Sequence, residues 1–259
     1  MSLPGLVFGA ATSDRVACAT GSQLDDLPTW TILVWHRPTT LTTNRNLVNK
    51  GAGAGNNRRV SLLLSGTSGA IQVQLDRATT DLQYISATGA VQINRDCFSA
   101  ATFDSGASAG AFVAFYAGRA GVPATAATVA TATDGSGAFQ SDAGVALTIG
   151  NATTASPTVA WQGAIYAVAV SGSVLTVGEI RAWQENPFLR VRDLRGAWFL
   201  GGNGIGRVAD YSAYSQRGTV TGAYPSPYTL PLAAVSMRSG LSAPAAASVF
   251  SRYYYEMAS

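Results

Sequence analysis

Short runs of apolar residues, alternating with polar ones or apolar throughout, recur along the chain between clusters of Gly, Ser, Asn and Asp. This pattern predicts strands almost everywhere. "GLVFGA" (5–10) and "RVACAT" (15–20) come first. In "TWTILVWHRP" (29–38) both the Trp30/Ile32/Val34 set and the Leu33/Trp35 set are apolar, as expected of a central strand, and Pro38 ends it. "NLVNKG" (46–51) is short. "RRVSLLLSG" (58–66) and "AIQVQLD" (70–76) predict a hairpin, with Ile71, Val73 and Leu75 facing one way and Gln72 and Gln74 the other. "LQYISA" and "AVQIN" predict a second hairpin around Thr88-Gly89, and "CFSAATFD" with "AFVAFYAG" a third. "VALTIGN" (145–151) and "WQGAIYAVAV" (161–170) complete the set.

One stretch has a different period. In "VLTVGEIRAWQENP" (174–187), Thr176 stands three residues before Glu179, the spacing of a reciprocal cap. Ile180 and Trp183 share a face, and Pro187 stops the turn. A short helix near 176–185 lying on an all-β, antiparallel sandwich is the expected architecture, spanning residues 1–223. From residue 224 the pattern lapses. Residues 224–259 are rich in Pro, Ala and Ser and read as an extended C-terminal arm. Phe250, Tyr253, Tyr254 and Tyr255 would anchor it on a neighbouring subunit, or form a final strand on the same domain.

Composition narrows the function. Charged residues are 12% of the 259, about half the usual share, which suits a surface that meets other protein. The net charge is +3, yet the arginines are scattered and Lys50 is the sole lysine, so no nucleic-acid face is expected. The N-terminus has no basic segment followed by an apolar core, so no signal peptide is expected. No run of 18 apolar residues exists, so no membrane span is expected either. Cys18 and Cys97 lack zinc-ligand spacing and read as buried free thiols.

"GAWFLGGNGIGRVADYSAYSQRGTVTGA" (196–223) raises the possibility of a phosphate loop. Arg207 and Val208 follow Gly206 where a Lys-Ser/Thr pair is needed, and the residues after it are turn-like and then strand-like. Without a helix N-terminus there is no row of free amides for a phosphate. His36 is the only histidine and reads as a surface group at a strand end. The three glutamates, Glu179, Glu185 and Glu256, offer no acid/base pair for glycoside hydrolysis, so no enzyme is expected. Asp104, Asp134, Asp142 and Asp210 sit in Gly/Ser-rich loops. Asp104 and Asp210 are carried forward as candidate calcium ligands, against ordinary turn chemistry. Trp161 and Tyr211 are candidate platforms for a sugar ring, against core packing for Trp161.

The order of motifs resembles the laminin-G-like branch of the concanavalin A-like jelly rolls. "LVFGAATSDRVACAT", "LPTWTILVWHRPTT", "LVNKG", "SAATFDSGASAGAFVAFYAG" and "LTIGN…WQGAIYAVAVSGSVLTVGEIRAW" follow that family's sequence of strands and its closing helix over about residues 5–223. The 196–223 stretch resembles a segment that precedes the family's first strand; here it follows the helix. It completes either its own sandwich edge or a neighbour's. Asp210 matches the aspartate of that motif, whereas Gly201 and Gly202 stand where the family has an acidic residue. The resemblance implies binding of glycan, calcium or protein. With the low charge and the arm, it leads to the expectation of a bacteriophage virion protein. A capsid decoration (cement) protein contacting the major capsid protein or other virion proteins, as a homo-oligomer, is expected first. A glycan-binding adhesin or receptor-binding module on a phage fibre is the alternative.

Overall fold

The structure is a computed structural model; it describes residues 2–9, 11, 13–51, 60–152, 159–189, 191–201 and 206–232. The strands in chain order are β1 (Ser2–Gly9), β2 (Arg15–Cys18), β3 (Thr29–Pro38), β4 (Arg45–Lys50), β5 (Val60–Ser65), β6 (Ala70–Leu75), β7 (Leu82–Ser86), β8 (Cys97–Asp104) and β9 (Val113–Arg119). There follow β10 (Val122–Ala127), β11 (Val129–Thr133), β12 (Thr148–Ile149), β13 (Gln162–Ser171), the helix α1 (Val177–Glu185), β14 (Gly196–Phe199), β15 (Arg207–Val208), β16 (Gly218–Thr221) and β17 (Tyr224–Pro231).

They form two antiparallel sheets. One has eight strands, ordered β10-β9-β8-β3-β13-β1-β17 with β14 added to β13; the other has nine, ordered β11-β7-β6-β5-β4-β12-β2-β16-β15. The main core lies between them. Trp30, Ile32 and Val34 of β3 meet Leu62 and Leu64 of β5, Ile71 and Val73 of β6 and Tyr84 of β7 there. The other face of the eight-stranded sheet is also buried. Leu33, Trp35, Phe98, Ala167 and Ala169 pack beneath Ile180 and Trp183 of α1 and beneath Leu194 and Phe199. That double burial is why β3 is apolar on both faces. The helix has the expected reciprocal cap: Glu179 N donates to Thr176 Oγ1 at 3.3 Å and Thr176 N donates to Glu179 Oε2 at 2.9 Å. Trp35 Nε1 donates to Gln184 O at 3.0 Å and fastens the helix to the sheet.

Two expectations are corrected, and two strands are added. "AVQIN" forms no strand; the hairpin partner of β7 on that side is β6, and β7's other neighbour is β11. Residues 122–133, whose Ala/Thr composition carries little hydrophobic contrast, form β10 and β11. Residues 224–231, assigned by sequence to the arm, form β17 and pair with β1. Phe250 and Tyr253 to Tyr255 lie outside the described residues. The 196–223 stretch completes its own chain's sandwich: β14 pairs with β13 and β16 with β2.

One glycine is required by close approach. Gly163 has φ +128°, and a Cβ there would stand 2.0 Å from Arg37 O across the β13–β3 pairing. Gly163→Ala is expected to cost on the order of 3 kcal/mol or more, through strain and a parted sheet, measured by urea denaturation against wild type.

Candidate functional site

The aspartates singled out by sequence are occupied by their own backbone. Asp210 is buried beside β15. Its Oδ1 accepts from Ala197 N (2.8 Å) and Ser212 N (2.9 Å), and its Oδ2 from Ser212 Oγ (2.8 Å) and Gln216 N (2.7 Å). Four donors use the acceptor sites of one carboxylate. Asp210 is therefore a turn-building residue. Asp104 Oδ1 accepts from Gly106 N at 2.9 Å, an Asx turn in the β8–β9 hairpin. Asp134 accepts from Tyr84 Oη and, at 2.8 Å, from Gly110 N. Among the described residues, no group of three or more His, Cys, Asp or Glu side chains is placed to hold a metal ion.

Asp142 belongs to a bracket around the sole lysine. Lys50 Nζ is 2.7 Å from Asp25 Oδ1 and 3.0 Å from Asp142 Oδ1, and it donates to Asp142 O at 2.6 Å. Asp26 N donates to Asp142 Oδ1 and Asp142 N to Asp26 Oδ1, at 2.7 and 2.8 Å, so the two loops clasp each other. Burial pushes the Asp142 carboxyl up. The hydrogen bond from the Asp142 amide holds Asp26 below the usual carboxylate range. Beside this bracket a cavity of about 30 Å³, walled by Leu24, Trp30, Val48 and Leu147, has room for a water and not for a sugar.

The aromatic candidates are likewise packed. Trp161 is fully buried and lies edge-on to His36 at 5.2 Å between centroids, so it presents no ring face. Tyr211 is half-buried against Phe199 at 5.0 Å, and burial pushes its hydroxyl pKa up. His36 is inside the core, not at the surface as expected. Its Nε2 meets Ser99 Oγ at 2.8 Å, and burial lowers its pKa to about 3, which keeps the ring neutral. Exposed rings stand elsewhere, and several carry an arginine. Arg37 lies 4.5 Å over Tyr228, Arg77 4.5 Å over Phe139 and Arg195 5.7 Å over Tyr214.

What the strands do assemble is a polar floor on the outer face of the nine-stranded sheet. Leu62, Leu64, Ile71, Val73, Leu75 and Tyr84 point into the main core, so their alternates point away from it. In β4 an irregularity between Asn46 and Val48 sends both Leu47 and Val48 to the core and returns Asn49 to the outer face. Cross-strand register then lines up two rows. The first runs Thr148, Asn49, Ser61, Gln74, Gln83, Thr133; the second runs Asn46, Leu63, Gln72, Ile85, Thr131. Strand spacing of ~4.8 Å makes the first row about 24 Å long, the length of a short oligosaccharide. No charged side chain stands in either row. Each row runs from a buried end at β4 and β5 to an exposed end at β11.

The buried end contains unmet polar groups. Both amide atoms of Asn46 and the hydroxyl of Ser61 are buried and have no hydrogen-bond partner, and these residues are 1% and 0% exposed. Such groups cost the fold about 1–3 kcal/mol each, so they are exceptions that call for a reason. Sequence reasoning found the Gln72/Gln74 half of this floor through alternation. It missed Asn46, Asn49 and Ser61, because the irregularity in β4 hides the alternation of "NLVNK".

The sandwich and its closing helix define a concanavalin A-like jelly roll. The profile of the Laminin_G_3 family, described as the concanavalin A-like lectin/glucanases superfamily, matches residues 10–181, and the chain belongs to that family. A comparison with curated protein sequences finds no significant match. Among solved structures, a protein of Bacteroides ovatus provisionally described as carbohydrate-binding superposes with a TM-score of 0.60 at 13% identity, over 89% of this chain. The chain spans 62% of that protein. Full-length tailspike protein 2 of the Escherichia coli O157:H7 bacteriophage CAB120 superposes with a TM-score of 0.50 at 14% identity, over 76% of this chain and 26% of the tailspike. At these identities the likeness is one of fold.

Proposed function

We propose that this protein is a non-enzymatic carbohydrate-binding module whose ligand lies along the two polar rows of the nine-stranded sheet. The observation that carries this reading is the uncharged row Thr148, Asn49, Ser61, Gln74, Gln83 and Thr133, all amides and hydroxyls, which opens to solvent from β6 to β11. Sugar hydroxyls are both donors and acceptors, as are an amide and a hydroxyl, so a saccharide can pair with Gln74, Gln83, Thr131 and Thr133 at the accessible end of the rows. Neither row contains a carboxylate, histidine or thiol to act on the glycosidic bond. The description of the Bacteroides ovatus protein points the same way, and the tailspike shares the fold in a phage setting, which supports the fibre-borne form of this reading.

The decoration-protein expectation draws on Phe250 and Tyr253 to Tyr255, which lie outside the described residues. The described sandwich offers nothing specific to a capsid lattice, so the glycan reading takes precedence.

A glycan array probed with the full chain, followed by calorimetric titration of the best ligand, tests it. Gln83→Leu removes an amide from the accessible end of the first row at similar volume. It is expected to leave the melting temperature unchanged or higher and to weaken binding at least about tenfold, the equivalent of one lost hydrogen bond. No ligand on a broad array, or a variant that binds as wild type does, refutes the proposal.

A further inference from the structure

The chain has one lysine among its 17 basic residues, and that lysine is buried: Lys50 is 3% exposed. A buried ion pair ordinarily takes arginine, whose planar fork spreads its charge over several hydrogen bonds. What lysine adds is an amine, a nucleophile once one proton has left it. The groups that such a nucleophile needs stand around Nζ.

The acceptor is Asp142. Its Oδ1 lies 3.0 Å from Nζ, which puts the carboxyl group in contact with the nitrogen, and its main-chain oxygen accepts from Nζ at 2.6 Å and holds the amine in place. The proton carrier is Asp25, whose Oδ1 lies 2.7 Å from Nζ. The Asp26 amide donates to Asp142 Oδ1 at 2.7 Å, where it meets the charge that develops on that oxygen when the carboxyl carbon is attacked. Asp26 does not compete for the amine, because its own oxygens accept from Asp142 N at 2.8 Å and from Ser141 Oγ at 2.9 Å. The surroundings are apolar. Leu24, Leu27, Trp30, Val48 and Leu147 wall the cavity of about 30 Å³ that Lys50 and Asp142 also line, and it has room for one water. An apolar setting penalises the ion pair, and burial pushes the Asp142 carboxyl towards its protonated form.

From this arrangement we propose that Lys50 and Asp142 condense to an internal isopeptide bond. Asp25 takes a proton from the Lys50 ammonium and passes it to the Asp142 carboxylate, leaving a neutral amine and a neutral acid. Nζ then bonds to Cγ of Asp142, and Oδ1 stays on the Asp26 amide. Asp25 carries a second proton from the nitrogen to the other carboxyl oxygen, the Cγ–O bond breaks, and water departs into the cavity. One ammonium and one carboxylate become one amide and one water, Asp25 ends as it began, and no co-reactant is consumed. The 3.0 Å contact is the geometry of the reactants. The bond would staple β4 to the loop ahead of β12 across 92 positions of the chain. The inference stands apart from the glycan reading, since Lys50, Asp25 and Asp142 belong to neither polar row.

Intact-mass spectrometry of the full chain, reduced and denatured, tests this. The expected mass is about 18 Da below that of the 26.7 kDa sequence, the loss of one water. Lys50→Arg, which retains the charge and has no amine to condense, is the reference and should show its full mass. A tryptic digest should join the Lys50 and Asp142 peptides, and an amine-reactive reagent should label no lysine in the unfolded wild type. Asp25→Asn has similar volume but cannot carry the proton, so it should also show its full mass. The wild-type mass decides whether the bond forms and depends on no variant. A wild-type mass equal to that of the sequence, a link that runs to Asp25, or an Asp25→Asn variant that still loses water each overturns the proposal.

Discussion

Asp210→Ala should lose about 4 kcal/mol of unfolding free energy, seen as a lower urea midpoint with an unchanged m-value. The carboxylate serves four donors from three segments: the start of β14 at Ala197, the turn at Ser212, and Gln216 ahead of β16. Removing it strands buried N–H and O–H groups that no neighbouring oxygen replaces. The same turn positions Trp198, a fully buried ring whose Nε1 donates to Gln216 O at 2.7 Å, so the loss extends into the main core. Asp210→Asn retains one good acceptor and sets an amide group against the remaining donors, and should cost about half as much. A loss below about 1 kcal/mol for the alanine variant would mean that the turn is held by something other than this carboxylate.

His36 should make the protein acid-sensitive over a defined range. The ring is buried and neutral, with its pKa lowered by burial from 6.5 to about 3. Below pH 6.5 the unfolded chain takes up a proton that the folded chain refuses, so unfolding gains. The stabilisation is complete above pH 6.5 and drains away as the pH falls towards about 3, to a total on the order of 5 kcal/mol. His36→Phe keeps a ring against Trp161 and gives up the Ser99 bond, at a cost of about 1 kcal/mol near neutrality. Its melting temperature should fall much less than that of wild type between about pH 7 and about pH 4.5. Equal falls in the two proteins would assign the acid sensitivity to the carboxylates.

Much of this fold is legible in the sequence because the strongest signals are local. The Thr176/Glu179 cap fixes the helix start, and the doubly apolar β3 announces a strand covered on both sides. β10, β11 and β17 escape sequence reading for the opposite reason. Alanine and threonine give little contrast between faces. Prolines argue against a strand unless it is known to be an edge, which only the tertiary arrangement decides. The candidate site is less legible still. Asp104, Asp210, Trp161 and Tyr211 are the residue types that bind calcium and sugars, and the structure spends them on turns and packing. The floor is built instead from residues separated by up to 102 positions, Asn46 to Thr148, with no shared motif. Only strand register makes them neighbours, and register is set by pairings that the sequence does not print.

The central claim is that the outer face of the nine-stranded sheet receives a saccharide, and amide chemical-shift mapping tests it most directly. On titrating an isotopically labelled chain with its best array ligand, shifts are expected to concentrate on β6, β7 and β11, with Gln83 and Thr133 among the largest. Shifts gathered instead around Arg37 and Tyr228 on the eight-stranded sheet would contradict it, as would a titration in which no amide of the floor moves.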